Sequence, residues 1–263
     1  IVTKKQAITL AHIAAGTRSF DITMPKEINR LVIDGLSDIL FTAGFSNNSI
    51  ANKEGAELSK VYMVGNILID NIRYNRECIE GMSLSDIDAL AGLPIKEGNY
   101  LVFTLNRKAL LADQDNLEKM LRVLSETAGD LPIIAPLRDS AVQVIMSLSL
   151  KKHINLHNLH IVKPLGYLEF AYLTAHALGI VTDSGNVAEE ATFNSIPCIT
   201  LNSYTEHIET VKVGSNVLVG EDAELLRSAL SDMVVGTWKK SGIPDRWDGR
   251  SAERILQILL EHH

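Results

Sequence analysis

A predicted strand, a polar turn and a short helix lie between Ile180 and Leu201, and their residues could bind a diphosphate. Residues 180–182 are apolar or β-branched, Asp183 and Gly185 end the strand, and Ser184 is a typical helix N-cap. The first N–H groups of a helix have no acceptor within the helix, and they lie at the positive end of its dipole. The turn therefore predicts an anion site, although Ser184 could also be an ordinary helix cap.

Histidines and cysteines offer weaker candidates for chemistry. His153, His157 and His160 are close enough to suggest a metal, but their segment lacks a regular apolar helix face and no cysteine or carboxylate cluster accompanies them. We therefore predict no metal. Cys78 and Cys198 are too few for a disulfide framework, and Cys198 lies in an apolar run, which favours a reduced, cytoplasmic location.

The composition limits the class of partner. The chain has 263 residues, of which 46% are hydrophobic and 22% charged, so it is large enough for one large or two smaller globular domains. Its net charge of −7, without a lysine or arginine block, argues against a nucleic-acid partner. No apolar run approaches the roughly 20 residues that span a bilayer, so we expect no membrane partner either. A small-molecule partner is the remaining expectation.

Apolar runs alternate with amphipathic stretches along the chain, a pattern typical of parallel α/β proteins. Residues 26–36 place Ile28, Leu31 and Val32 on one apolar side at helical spacing, after Pro25. The predicted strands are 7–14, 39–42, 61–64, 100–104, 131–135, 159–162, 180–182 and 196–201. The predicted helices are 26–36, 46–54, 67–74, 83–91, 116–128, 140–148, 167–177, 222–234 and 252–260.

Two doubly wound units are predicted to meet near Gly65. We assign residues 1–65 to the C-terminal part of a first Rossmann-like domain, 66–245 to a second, and 246–261 to a closing helix that packs back on the first. The first stretch is shorter than the roughly 100–150 residues of a usual domain, so we expect it to be incomplete. The terminal segment 261–263 resembles the start of an expression tag.

Six segments, in order along nearly the whole chain, resemble motifs of the non-hydrolysing UDP-N-acetylglucosamine 2-epimerases, which have the two-domain GT-B architecture. The first three are 12–19 (HIAAGTRS), similar to H-V-E-A-G-L-R-S, 24–30 (MPKEINR), similar to P-E-E-x-N-R after its methionine, and 65–70 (GNILID), similar to G-N-x-x-I-D. The others are 165–170 (LGYLEF), similar to the loop before the phosphate motif, 183–190 (DSGNVAEE), similar to D-S-G-G-x-Q-E-E, and 205–209 (TEHIE), similar to T-E-R-P-E.

The resemblance implies a reaction in which UDP leaves C1 of a UDP-sugar while a carboxylate removes the proton at C2. UDP adds back after the proton has returned on the other face. No metal or redox cofactor is implied, since helix N-termini and cationic side chains stabilise the leaving diphosphate. The residues that the resemblance assigns to UDP are Phe170 at the uracil, Glu190 at the ribose, and Ser184, Gly185 and Asn186 at the diphosphate. It assigns catalysis to Glu27 and Arg30, and further phosphate or sugar contacts to Asn106, Arg107, Arg138 and His207.

Several polar positions depart from the family pattern, whereas the structural glycines and apolar runs are retained. Ala14 stands where the family has a catalytic glutamate, and Asn186 replaces the second glycine of the phosphate turn. Asn106 and Arg138 replace the histidines of T-x-H-R-R and P-V-H, and His207 replaces the arginine of T-E-R-P-E. The chemistry has therefore changed more than the fold.

Some assigned residues also have structural interpretations that the sequence leaves open. Glu27 lies in the first turn of a helix, where an acid is favourable in any case. Phe170 shares helical spacing with Leu173, as a core residue would. Arg30 could be an ordinary ion-pair partner.

The resemblance identifies the chain as a UDP-N-acetylglucosamine 2-epimerase-like isomerase that interconverts UDP-GlcNAc and UDP-ManNAc. One alternative is a catalytically degenerate homologue that binds a UDP-sugar or UDP, and another is a GT-B glycosyltransferase. The P-x-E-x-N-R context resembles the epimerases more than a transferase. The expected partners are a UDP-sugar or UDP and a second copy of the chain in a homodimer.

Overall fold

Two compact units make up the chain, which a computed structural model describes over residues 1–261. His262 and His263, from the segment that resembles a tag, lie outside the described residues. Unit 1 comprises residues 1–74, 205–213 and 243–261, and unit 2 comprises residues 75–204 and 214–242. The helix 67–74 and the segment 205–213 thus belong to unit 1 by their contacts, and the domain boundaries given above stay a prediction.

Unit 1 is built on a three-stranded parallel sheet of order β1-β2-β3. The strands are β1 (Ala11–Ala15), β2 (Ile39–Thr42) and β3 (Val61–Met63). Its helices are α1 (Val2–Lys5), α2 (Pro25–Leu36), α3 (Phe45–Lys53), α4 (Ile67–Tyr74), α11 (Glu209–Lys212) and α13 (Ser251–Glu261), numbered along the whole chain. One core cluster joins β2 to α13 through Phe41 and Ile255, and a second, smaller one contains Leu40 of β2 and Ala51 of α3.

Unit 2 is built on a six-stranded parallel sheet of order β6-β5-β4-β7-β8-β9. The strands are β4 (Leu101–Thr104), β5 (Ile133–Pro136), β6 (Leu159–Val162), β7 (Gly179–Thr182), β8 (Cys198–Thr200) and β9 (Asn216–Leu218). The helices are α5 (Arg76–Glu80), α6 (Lys108–Ala112), α7 (Gln114–Ala128), α8 (Asp139–Lys152), α9 (Tyr167–Ala175), α10 (Gly185–Phe193) and α12 (Ala223–Val235). The chain runs outward from β4 to β6 and then returns to β7 beside β4, so the strand order switches between β4 and β7.

The sheet of unit 2 is covered on both faces, as its near-continuous apolar strands predict. Leu101 and Phe103 of β4 pack in one core cluster, whereas Val102 packs in the other. Alternate side chains of a strand point to opposite faces, so β4 contributes to both cores. In the described part of the chain no helix is long and apolar enough to cross a membrane.

One sequence prediction of secondary structure has the wrong bounds, and another has the wrong type. The strand predicted over 7–14 is β1 at Ala11–Ala15, and a short helix precedes it at Val2–Lys5. The helix predicted over 83–91 is instead two 3₁₀ turns, Leu84–Asp86 and Asp88–Leu90. Ser83 and Asp86 close the first turn with a capping box, which favours a tight turn over a continuous helix.

Helix α2 has an unexpected orientation of its side chains. The predicted helix is present, but its apolar residues Ile28, Leu31 and Val32 are exposed. Its buried side chains are the carboxylates of Glu27 and Asp34. The apolar spacing therefore predicted the position of the helix correctly but not which of its sides is buried.

Candidate functional site

The switch in strand order between β4 and β7 places two polar loops side by side at the carboxyl edge of the sheet of unit 2. Ligands of open α/β sheets bind in the crevice that such a switch creates. The hydroxyls of Thr104 and Thr182, at the ends of these strands, are 2.6 Å apart. Asp183 Oδ2 accepts hydrogen bonds from the backbone N–H groups of Asn106 and Arg107, both at 2.6 Å, and so fixes one loop against the other.

Helix α10 begins directly after this contact. Ser184 is its N-cap residue, but its side chain makes no capping hydrogen bond. Gly185 and Asn186 are exposed in the first turn, and a Cβ built on Gly185 would have no heavy atom within 4 Å. Free first-turn N–H groups, a nearby hydroxyl and open space fit the diphosphate contacts predicted for Ser184, Gly185 and Asn186.

Glu190 lies one turn further along α10, on its buried side. Glu190 is 7% exposed, and the neighbouring Glu189 is equally buried. Burial, and then the charge of Glu189, raise the pKa of Glu190 to about 7. A buried carboxyl group is costly to ionise unless donors reach it, and ribose hydroxyls are donors of the required kind.

The side chains of Arg107 and Phe170 have partners within unit 2. Arg107 donates to the carbonyl oxygen of Leu201 at 3.0 Å and to Asn202 Oδ1 at 2.6 Å, and it pairs with Glu221 at 3.0 Å. This arginine thus ties together the loops that follow three strands. Phe170 of α9 is half-buried against a core cluster. Direct contacts of either residue with a ligand stay predictions.

Arg138 contrasts with Arg107 because its guanidinium is exposed. It is the N-cap residue of α8, just after the carboxyl end of β5, the strand next to β4. Over residues 1–261 its side chain has neither a hydrogen-bond nor an ion-pair partner. A cation in this condition is available to an anionic ligand.

The predicted catalytic pair lies in unit 1, and both of its members are engaged by protein groups. Glu27 is 1% exposed and accepts hydrogen bonds from the N–H groups of Ser19 at 2.9 Å and Phe20 at 2.8 Å. Burial would raise the pKa of Glu27, but these backbone donors outweigh it and the pKa lies below its usual value. Glu27 is therefore a weak base that supports a loop.

Arg30 forms a two-pronged ion pair with Glu206, at 2.9 and 2.8 Å, and is 3.9 Å from Glu27. Lys26 Nζ lies 2.5 Å from Glu206. Burial would raise the pKa of Glu206, but Arg30 and Lys26 lower it to about 2. Lys26 and Glu206 lie in quoted motifs but were not among the predicted site residues. The signal was available, because Lys26 stands at the first glutamate of P-E-E-x-N-R and is four residues, one helical turn, before Arg30.

His207 is buried rather than open to solvent. It is 7% exposed, its Nδ1 lies 3.1 Å from Asn47 Oδ1, and its ring meets Trp247 edge-on at 5.9 Å. The His207 ring thus packs within unit 1. The predicted phosphate or sugar contact of His207 stays a prediction.

The structure therefore brings together the turn residues 184–186, Glu190 and Asn106 on one edge of unit 2, with Arg138 two strands from the turn. The catalytic candidates Glu27 and Arg30 lie in unit 1. Arg30 donates to Glu206, the residue that precedes His207 in the chain. Within the described range, no group of three or more His, Cys, Asp or Glu residues could hold a metal ion.

Comparison with known proteins gives one consistent family. The model of the family described as UDP-N-acetylglucosamine 2-epimerase matches residues 1–260. The UDP-N-acetylglucosamine 2-epimerase of Methanocaldococcus jannaschii is 35% identical over 98% of this chain and 70% of its own length. The UDP-2,3-diacetamido-2,3-dideoxy-D-glucuronate 2-epimerase of Pseudomonas aeruginosa is 33% identical over 99% of this chain and 70% of its own length.

A solved structure agrees with these relatives. The crystal structure of the M. jannaschii UDP-GlcNAc 2-epimerase in complex with UDP-GlcNAc and UDP superposes with a TM-score of 0.82 at 33% identity. The match covers 99% of this chain and 71% of that one. The chain thus spans about 70% of the length of these relatives.

Proposed function

Because the chain belongs to the UDP-N-acetylglucosamine 2-epimerase family, a family of isomerases, we propose that it interconverts UDP-GlcNAc and UDP-ManNAc. The family confirms the predicted α/β, GT-B-like fold. The observation that carries the proposal is the open first turn of α10 above the buried Glu190, at the switch point of the sheet of unit 2.

In the proposed reaction the C1–O bond breaks, UDP leaves with the electron pair, and the C2 proton passes to a base, which gives a C1–C2 double bond. The proton then returns to the other face of C2 and UDP re-forms the C1–O bond. The N–H groups at Gly185 and Asn186 and the Ser184 hydroxyl bind the diphosphate, whose charge grows as the C1–O bond breaks. Donors that are already oriented toward developing charge stabilise the transition state more than the ground state. Arg138, an exposed cation at the same edge of the sheet, supports the binding of the diphosphate. Glu190 accepts hydrogen bonds from the ribose.

Removal of the C2 proton is the step with the least support from the side chains of this chain. Ala14 cannot act as a base, and Glu27 is held by two backbone N–H groups with a lowered pKa. Lys26 stands at the other acidic position of the motif. These observations favour a second candidate function, in which the protein binds a UDP-sugar without converting it.

One experiment separates the two functions. The protein is incubated with UDP-GlcNAc in deuterium oxide, and proton NMR follows both UDP-ManNAc formation and the loss of the C2 proton signal. Calorimetry with UDP measures nucleotide affinity on the same sample. Epimerisation with deuterium at C2 is the expected result. UDP binding without exchange at C2 would establish the second function and reject the first.

We also propose that the protein acts as a homodimer in the cytoplasm. The free thiols of Cys78 and Cys198 support a reducing compartment. The exposed apolar side of α2 supports association with a second copy.

A further inference from the structure

The loops after four neighbouring strands of unit 2 meet around Arg107. Arg107 follows β4, and its partners Leu201 and Asn202 follow β8. Glu221, its ion-pair partner, follows β9, and Asp183, which accepts a hydrogen bond from the Arg107 backbone, follows β7. These strands are adjacent in the order β4-β7-β8-β9, and all five residues belong to unit 2. One arginine thus connects four loops at the carboxyl edge of a single sheet.

The guanidinium of Arg107 lies beside the start of α10. Its Nη1 donates to Asn202 Oδ1 at 2.6 Å, and Asn202 Nδ2 in turn donates to the carbonyl oxygen of Asp183 at 3.1 Å. The Arg107 N–H also donates to Asp183 Oδ2 at 2.6 Å. Asp183 directly precedes Ser184, the N-cap residue of α10. Only the Asn202 side chain therefore stands between this guanidinium and the turn where we propose that a diphosphate binds.

The two ends of the guanidinium have partners of different kinds. Nη1 is held by neutral acceptors, the Leu201 carbonyl oxygen at 3.0 Å and Asn202 Oδ1. Nη2 instead pairs with the Glu221 carboxylate at 3.0 Å. Over residues 1–261 the Glu221 side chain has no other hydrogen-bond or ion-pair partner.

The ion pair between Arg107 and Glu221 is open to water. The two side chains are 36% and 35% exposed. Exposed ion pairs contribute little to stability, since water and salt screen them and both side chains lose freedom when they pair. Glu221 is therefore a partner that another anion can replace, whereas Leu201 and Asn202 keep the arginine in place.

We propose that Glu221 competes with the diphosphate for Arg107 and so sets how tightly the start of α10 binds its ligand. This inference rests on the proposed binding of a diphosphate at that turn. A diphosphate carries more charge than a carboxylate, and its oxygens match the guanidinium donors. Nη2 transfers from Glu221 to a phosphate oxygen when the ligand binds, while Nη1 keeps its contacts. Separation of the ion pair, and repulsion between Glu221 and the ligand, both weaken binding and favour release of the nucleotide.

The test compares the Glu221→Gln variant with the unchanged protein by calorimetry, with UDP and with inorganic diphosphate as ligands. Both ligands should bind about threefold to fivefold more tightly to the variant, because an exposed ion pair contributes up to about that factor to an equilibrium. The gain should diminish as the salt concentration rises, since ions screen exposed charges. Inorganic diphosphate contains neither sugar nor uracil, so a gain without epimerisation would reject the proposed reaction and leave this inference standing.

Two further variants separate the role of Glu221 from a general effect of charge. Glu224→Gln is the matched control, since Glu224 is an exposed carboxylate of the first turn of α12 that lies 3.9 Å from Arg227 rather than beside Arg107. It should leave both affinities nearly unchanged. In an Arg107→Gln background, Glu221→Gln should bring no gain, and the salt dependence of Glu221→Gln alone tests the same point if that background does not fold. No gain with either ligand, an equal gain in Glu224→Gln, or a gain that persists without Arg107 would overturn the proposal.

Discussion

Glu190 has the most informative titration in the predicted nucleotide site. Burial and Glu189 raise its pKa to about 7, whereas an exposed glutamate titrates near 4.5. Between these values the folded protein keeps a proton that the unfolded chain has lost, so stability falls as pH rises from about 4.5 to about 7. The Glu190→Gln substitution removes this pH-dependent contribution to the free energy of unfolding. We expect the free energy of unfolding of the variant, relative to the unchanged protein, to rise by about 2–3 kcal/mol between pH 5 and pH 8.

Chemical denaturation at a series of pH values measures this difference. Glu189→Gln is the matched control, because it removes the second cause of the shift and leaves the first. It should move the fall in stability to lower pH without abolishing it. A difference between Glu190→Gln and the unchanged protein that stays constant from pH 5 to pH 8 would show that Glu190 is not held protonated.

Gly185, the first residue of α10, offers a substitution that should affect ligand binding but not folding. Gly185 has no positive φ and no neighbour for an added Cβ, so Gly185→Ala should fold normally. Alanine is also a better helix former than glycine. The added methyl group would, however, occupy the space through which a diphosphate reaches the first-turn N–H groups. We expect UDP affinity to fall at least tenfold by calorimetry, with a thermal midpoint equal to or above that of the unchanged protein.

Gly35→Ala is the control for this substitution. Gly35 in α2 likewise has no positive φ and no heavy atom within 4 Å of an added Cβ. Its replacement should stabilise the protein by about 0.5–1 kcal/mol and leave UDP affinity unchanged. Normal UDP affinity in Gly185→Ala would remove the first turn of α10 from the nucleotide site.

The comparison of α10 with α2 shows which parts of the molecule the sequence could predict. The turn at Ser184 follows from local chemistry, since a strand, a cap residue and a glycine specify the start of a helix wherever it lies. The buried side of α2 does not follow, because apolar spacing assumes that the core lies beneath the apolar residues. Here Glu27 and Asp34 accept hydrogen bonds from residues 16–20, and these long-range contacts leave no trace in the spacing of α2 itself.

On the scale of the whole molecule, unit 1 presents an apolar surface beside the open edge of its outer strand β1. Ile28, Leu31 and Val32 of α2 are 51%, 39% and 43% exposed, and Ile13 of β1 is 45% exposed. β1 is an outer strand of its sheet, with one side not paired to another strand in the described structure. An exposed apolar group beside an open strand edge is a typical surface for association.

We therefore expect the protein to self-associate through this surface. In sedimentation experiments, the associated fraction should rise with protein concentration. The double variant Ile28→Lys with Val32→Lys should shift the distribution toward monomer, since two charges would have to lose water at the contact. Both side chains are exposed, so the free energy of unfolding should change by no more than about 0.5 kcal/mol each. Leu225→Lys supplies the control, because Leu225 is an exposed apolar residue of α12 in unit 2, at 54% exposure. Association that responds to Leu225→Lys and not to the double variant would place the contact between copies on unit 2.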